Sequence, residues 1–153
     1  MAVLSQVATD KGTRLYVAQF DGHGWTDISP PDPPEWLSPY RSTNGVLHLF
    51  APAGSLRRTQ GGWEPIRLGL TGEDDPCLQQ GIYGFVEPEA GGAVFLRGLF
   101  GCVWKLAAGA SFAHRLEIPT SSNAIVQYMA PLGEWLYLLA DEGHKGALMR
   151  LHL

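Results

Sequence analysis

Gly81-Ile82-Tyr83-Gly84-Phe85-Val86, Ala93-Val94-Phe95-Leu96, Val103-Trp104-Lys105-Leu106 and a last segment from Phe112 to Ile118 follow one another closely in the chain. Each is short and rich in β-branched, aromatic or leucine residues. Gly91-Gly92, Gly98 with Gly101, and Gly109 separate them, as tight hairpins require. Pro119 then blocks extension of the last segment. The stretch reads as four antiparallel strands in succession: inner, second, third and outer.

Outward from this unit the pattern recurs. Apolar strands start at Ala2, Val46, Ala93 and Trp135, separated by 44, 47 and 42 residues. The strands that follow them start near Leu15, Leu56, Val103 and Leu148, separated by 41, 47 and 45. Two independent ladders agree on a period near 44. Phe20-Asp21-Gly22-His23-Gly24-Trp25-Thr26-Asp27-Ile28 and Thr59-Gln60-Gly61-Gly62-Trp63-Glu64-Pro65-Ile66 both read strand, glycine turn, Trp, strand. Ala108-Gly109-Ala110-Ser111-Phe112-Ala113 is a degenerate third version with Phe112 in the Trp place.

The strands do not alternate as half-buried ones do. Leu49-Phe50, Val94-Phe95-Leu96 and Leu138-Leu139 are apolar at consecutive positions, the mark of burial on both faces. A parallel sheet reaches that state under helices, but residues 106–115, the one helix candidate, are interrupted by Gly109. Sheets stacked on neighbouring sheets reach it without helices. The 19 Gly and 11 Pro among 153 residues agree, because helix interiors disfavour both. The expected class is all-β: a small or partial β-propeller of about four antiparallel blades, the alternative being a β-sandwich. One domain over residues 1–153 is expected, with blades near 1–30, 36–70, 81–119 and 123–153.

At residues 20–28 the chain resembles kelch-like and related bacterial propeller repeats (BNR-like, sialidase-type), where an aspartate-glycine turn precedes a Trp that packs between blades. The resemblance covers most of the chain in pattern and is specific at residues 15–28 and 46–68. It implies a propeller and leaves the subfamily open.

The first copy lacks an inner strand and the last an outer strand; four full blades would need about 176 residues at this period. Unpaired edges and apolar faces invite another chain. The expectation is a protein partner, or a second copy, completing the ring; the alternative is a compact four-bladed ring with two thinned blades.

Charge narrows the partner. Eleven basic against fifteen acidic residues give −4, and Arg57-Arg58 is the one adjacent basic pair. Phosphate neutralisation needs a basic footprint, so neither nucleic acid nor an anionic membrane is expected. No apolar run approaches the roughly 20 residues of a spanning helix. The first seven residues lack a basic and apolar leader pattern. Cys77 and Cys102 fit neither a disulfide framework nor a zinc spacing, so a cytoplasmic setting is expected.

Candidate site residues fall in long loops, where function usually resides. The Pro-stiffened segment 29–41 carries Trp36, Tyr40 and Arg41, residue types that anchor interfaces; Trp36 could equally cap the gap between blades. Glu73, Asp74 and Asp75 lie in a second loop, without the ligand spacing of a calcium loop, and read as a partner contact or a solvated acidic turn. His144 lies in a third. His48 and His152 sit among apolar strand residues and read as packed or hydrogen-bonded. Trp25, Trp63, Trp104 and Trp135 read as core. No nucleophile elbow or phosphate loop occurs, so no catalytic residue, metal or cofactor is expected. The function read from this is a non-catalytic protein–protein interaction or scaffolding module. The alternative is a propeller-type glycan-binding protein or hydrolase fragment.

Overall fold

In the computed structural model every element is a β-strand, and described residues cover 2–9, 12–32, 38–42, 44–51, 55–68, 82–89, 92–98, 102–118, 124–141, 143 and 145–153. Within 2–9, 12–15 and 38–41 the backbone alone is described. The strands fall into four meanders in chain order. The first holds β1 (Ala2–Thr9), β2 (Gly12–Phe20) and β3 (Trp25–Asp27); the second β4 (Ser38–Arg41), β5 (Leu47–Phe50), β6 (Ser55–Thr59) and β7 (Gly62–Leu68). The third holds β8 (Ile82–Val86), β9 (Val94–Gly98), β10 (Val103–Leu106) and β11 (Phe112–Leu116); the fourth β12 (Ile125–Leu132), β13 (Trp135–Asp141) and β14 (Gly146–His152). Among the described residues the grouping is three, four, four and three strands.

Local chemistry sets the turns. Asp21 Oδ1 accepts the backbone N–H groups of His23 (2.8 Å) and Gly24 (3.0 Å), which folds the β2–β3 reversal. Those two bonds hold its carboxyl below the usual aspartate range. Gly133, at φ 59°, makes the two-residue reversal between β12 and β13 possible.

Packing explains the apolar doublets. Phe50, Val94, Leu96, Trp104 and Leu106 meet in one core cluster between the second and third meanders. Leu49 turns the other way, onto Val17 and Ile28 of the first meander. Phe95 and Val103 likewise turn away, onto Val126, Leu136 and Leu138 of the fourth. The two central sheets are therefore buried on both faces, and consecutive positions must all be apolar. The four meanders stack in chain order, compatible with a partial propeller. A hydrogen bond from Trp63 Nε1 to the Ile28 carbonyl (2.6 Å) ties the first layer to the second. Arg97 Nη1 donating to the Val126 carbonyl (2.8 Å) ties the third to the fourth.

Two features depart from the sequence reading. The outer strands β7 and β11 pair in parallel, Arg67 opposite Phe112 and Leu68 opposite Ala113. That joins the central meanders into one sheet, β4-β5-β6-β7-β11-β10-β9-β8, and β4 also lies against β8. The result is a nearly closed, barrel-like mixed sheet. Residues 38–41 were read as loop but form β4, with Pro39 opposite Leu49. Proline is tolerated there because, among the described residues, β4 is hydrogen-bonded on one side alone, to β5, and lies on an edge.

Cys102 is fully buried in the central core and is disulfide-bonded. This corrects the reading of the cysteines as outside any disulfide scheme. The other cysteine of the chain, Cys77, lies outside the described residues.

Candidate interaction face and cavity

The fourth meander packs one face on the third and leaves the other uncovered. Strand register fixes what that outward face carries: a row Tyr128–Leu139–Leu148, a row Ala130–Tyr137–Arg150, and a row Leu132–Trp135–His152. Tyr128 is 70% exposed, Leu132 69%, Leu139 41% and Leu148 71%. Leu138 beside them is fully buried. Arg150 lies over the Trp135 ring, 4.4 Å from its centre, and His152 meets the same ring edge-on. Glu134 approaches His152 at 3.7 Å, both largely exposed. The face is apolar, aromatic and bordered by charge, the composition of interface cores.

The first meander has a similar outward face. Alternation along β2 places Tyr16, Ala18 and Phe20 on it, and pairing adds Trp25 opposite Phe20 and Asp27 opposite Ala18. Phe20 and Trp25 pack ring to ring at 5.2 Å, and Trp25 is 53% exposed.

A cavity of about 640 Å³ opens at the end of the strands where the β4–β5, β8–β9 and β10–β11 connections lie. Val94 and Leu106 form its apolar wall, and His48, Arg57, Arg58 and Glu87 its polar one. His48 is 6% exposed and stacks on Phe50 with ring centres 5.5 Å apart. Burial first, then the neighbouring Arg57, pushes its pKa down to about 4, so the ring is neutral at physiological pH. Arg57 donates to the Ala110 carbonyl (3.1 Å) and to Glu64 (2.9 Å), which lowers the Glu64 carboxyl. Arg58 lies 5.7 Å from the centre of the Trp63 ring.

The nearby hydroxyls are engaged in turns. Ser42 Oγ donates to Asn44 Oδ1 in the β4–β5 connection. Ser55 Oγ bridges the backbone of Ala51. Among the described residues no group of three or more His, Cys, Asp or Glu is placed to hold a metal ion, and no helix is long and apolar enough to cross a membrane.

Of the residues chosen from the sequence, Tyr40 and Arg41 lie in β4, opposite His48 and Leu47, with side chains outside the described set. Trp36, Glu73, Asp74, Asp75 and His144 fall outside the described residues altogether. Trp104 is core as expected, and His48 is packed as expected. Trp25 is corrected: it is exposed, because it lies on the outward face of a terminal sheet, as does His152, which packs edge-on against the Trp135 ring. The outward faces were missed as sites, although Leu138-Leu139 carried the signal of two-sided burial.

Compared with known proteins, the chain matches no family model and no curated protein sequence.

Proposed function

We propose that the protein is a non-catalytic interaction module of propeller-like build, its units of kelch-like or BNR-like type, that docks a protein partner on the outward face of β12–β14. The observation that carries this is the uncovered row of Tyr128, Leu139 and Leu148 on a sheet whose opposite face is fully packed. A net charge of −4 keeps nucleic acid a poor partner. The cavity favours a second reading, a propeller that holds a small ligand, because its volume falls in the range of small-molecule sites. A disulfide persists most readily where thiols are oxidised. The proposed cytoplasmic setting therefore depends on the redox state of Cys102.

Oxidative footprinting of the native assembly against the isolated, diluted chain tests the interaction reading. Tyr128, Leu132 and Leu148 are expected to be protected several-fold in the assembly. Equal labelling in both states refutes it.

A further inference from the structure

We propose that the outward face of β12–β14 is covered by a second copy of this chain, through the outward face of its β2–β3 hairpin. The contact is made twice in a two-fold dimer. The inference rests on the interaction reading above and names its partner.

Three observations support it. First, β13 carries the same consecutive apolar residues as β5 and β9, Leu138-Leu139 beside Leu49-Phe50 and Val94-Phe95-Leu96. In β5 and β9 each of these residues faces a sheet on its own side. In β13 only Leu138 does, so the sequence is patterned for a further sheet on the Leu139 side. Among the described residues, the other outward face with exposed aromatics is that of β2–β3, through Tyr16, Phe20 and Trp25.

Second, the charges are complementary. The β12–β14 face carries Arg150 on the edge strand β14, over the Trp135 ring, with His152 and Glu134 at one end of the strands and Asp141 at the other. The β2–β3 face carries Asp27 beside Trp25.

Third, the areas favour the reciprocal arrangement. The exposed Tyr128, Leu132, Leu139 and Leu148 residues amount to on the order of 500 Å² on one copy, the size of the largest apolar patch on a typical soluble monomer, which is often functional. One such contact buries on the order of 1,000 Å² over both partners, the lower bound for a specific interface. Using both terminal faces doubles this to roughly 2,000 Å², within the range of stable dimers. Two-fold closure also leaves no free apolar face to propagate a fibre.

Native mass spectrometry and light scattering of the purified chain test this at micromolar concentration. The expected species is a dimer, twice the 16.6 kDa chain. Leu148→Asp and Trp25→Asp, both at exposed positions, should each weaken it at least tenfold. Mixing the two variants should partly restore it, since one contact in the mixed dimer is unaltered. Arg150→Glu weakens the dimer without removing apolar surface and serves where an Asp variant fails to fold. A wild-type monomer at tens of micromolar, or open-ended oligomers, overturns the proposal. So does a dimer that survives Trp25→Asp and is lost with Leu148→Asp, which would pair like faces. A monomeric chain whose Tyr128 face is nevertheless protected in the native assembly overturns the second copy and leaves the interaction reading standing.

Discussion

His48 makes the fold sensitive to mild acid, and the size of the effect follows from its surroundings. Its folded pKa of about 4 lies below the ordinary histidine value of 6.5. Between these two values the unfolded chain takes up a proton that the folded chain does not. Stability from this group is therefore complete above about pH 6.5 and declines as the pH falls toward 4. The gap, converted at about 1.4 kcal/mol per pH unit, sets a ceiling of about 3 kcal/mol. Contact with the cavity mouth brings the working figure to about 2 kcal/mol, since hydration through the opening screens the added charge. Arg57 opposes the protonated ring and Glu87 favours it, but burial is the larger cause. Urea unfolding from pH 7.5 to 4.5, followed by tryptophan fluorescence, reads the effect against a His48→Gln variant. Carboxylate titration is common to both proteins and cancels in the difference. The wild type should lose about 2 kcal/mol more than the variant across that range. Parallel pH curves for the two would refute the buried, neutral assignment of His48.

Two further outcomes follow from the packing. Arg97→Ala removes the bond to the Val126 carbonyl and a second to the Tyr83 carbonyl; a loss of about 1–3 kcal/mol is expected in urea titrations, with an unchanged denaturant slope. Thiol counting on the denatured, unreduced protein should find Cys102 blocked, and reductant should lower the unfolding midpoint by the equivalent of about 2–4 kcal/mol; a free thiol at Cys102 and an unmoved midpoint would refute the bond.

What the sequence disclosed and what it concealed divide along the range of the interactions. The meanders were legible because hairpins are local: a glycine turn, an Asp21 side chain closing on two amides, an apolar run of four or five residues. The two-sided burial of Leu49-Phe50 and Val94-Phe95-Leu96 was legible because the face period of a strand is two. Residues 38–41 read as loop because Pro30, Pro31, Pro33 and Pro34 precede them, and nothing local says that β4 lies on an edge that can accept Pro39. The parallel pairing of β7 with β11 was hidden for another reason. It spans two pairs of residues far apart in the chain, and no local period encodes which strands of different meanders meet. The cavity was hidden likewise, since His48, Arg58 and Glu87 reach it from separate strands and connections.

Trp25 and Leu139 carry a further lesson. Both were read as buried from patterns that served correctly for Trp104 and Leu96. The patterns are the same; the difference lies in whether a sheet stands opposite. A strand buried on both faces is specified by its sequence regardless of which chain supplies the second covering sheet, because hydrophobic burial is non-directional and depends only on the apolar area removed from water. In the proposed dimer, the exposure of Trp25 at 53% and Leu139 at 41% belongs to the isolated chain. It follows that these positions, more than the polar loops, should show the largest change in accessibility on assembly. Substitutions there should act on association while leaving the internal cores around Trp104 and Leu136 at their own stability.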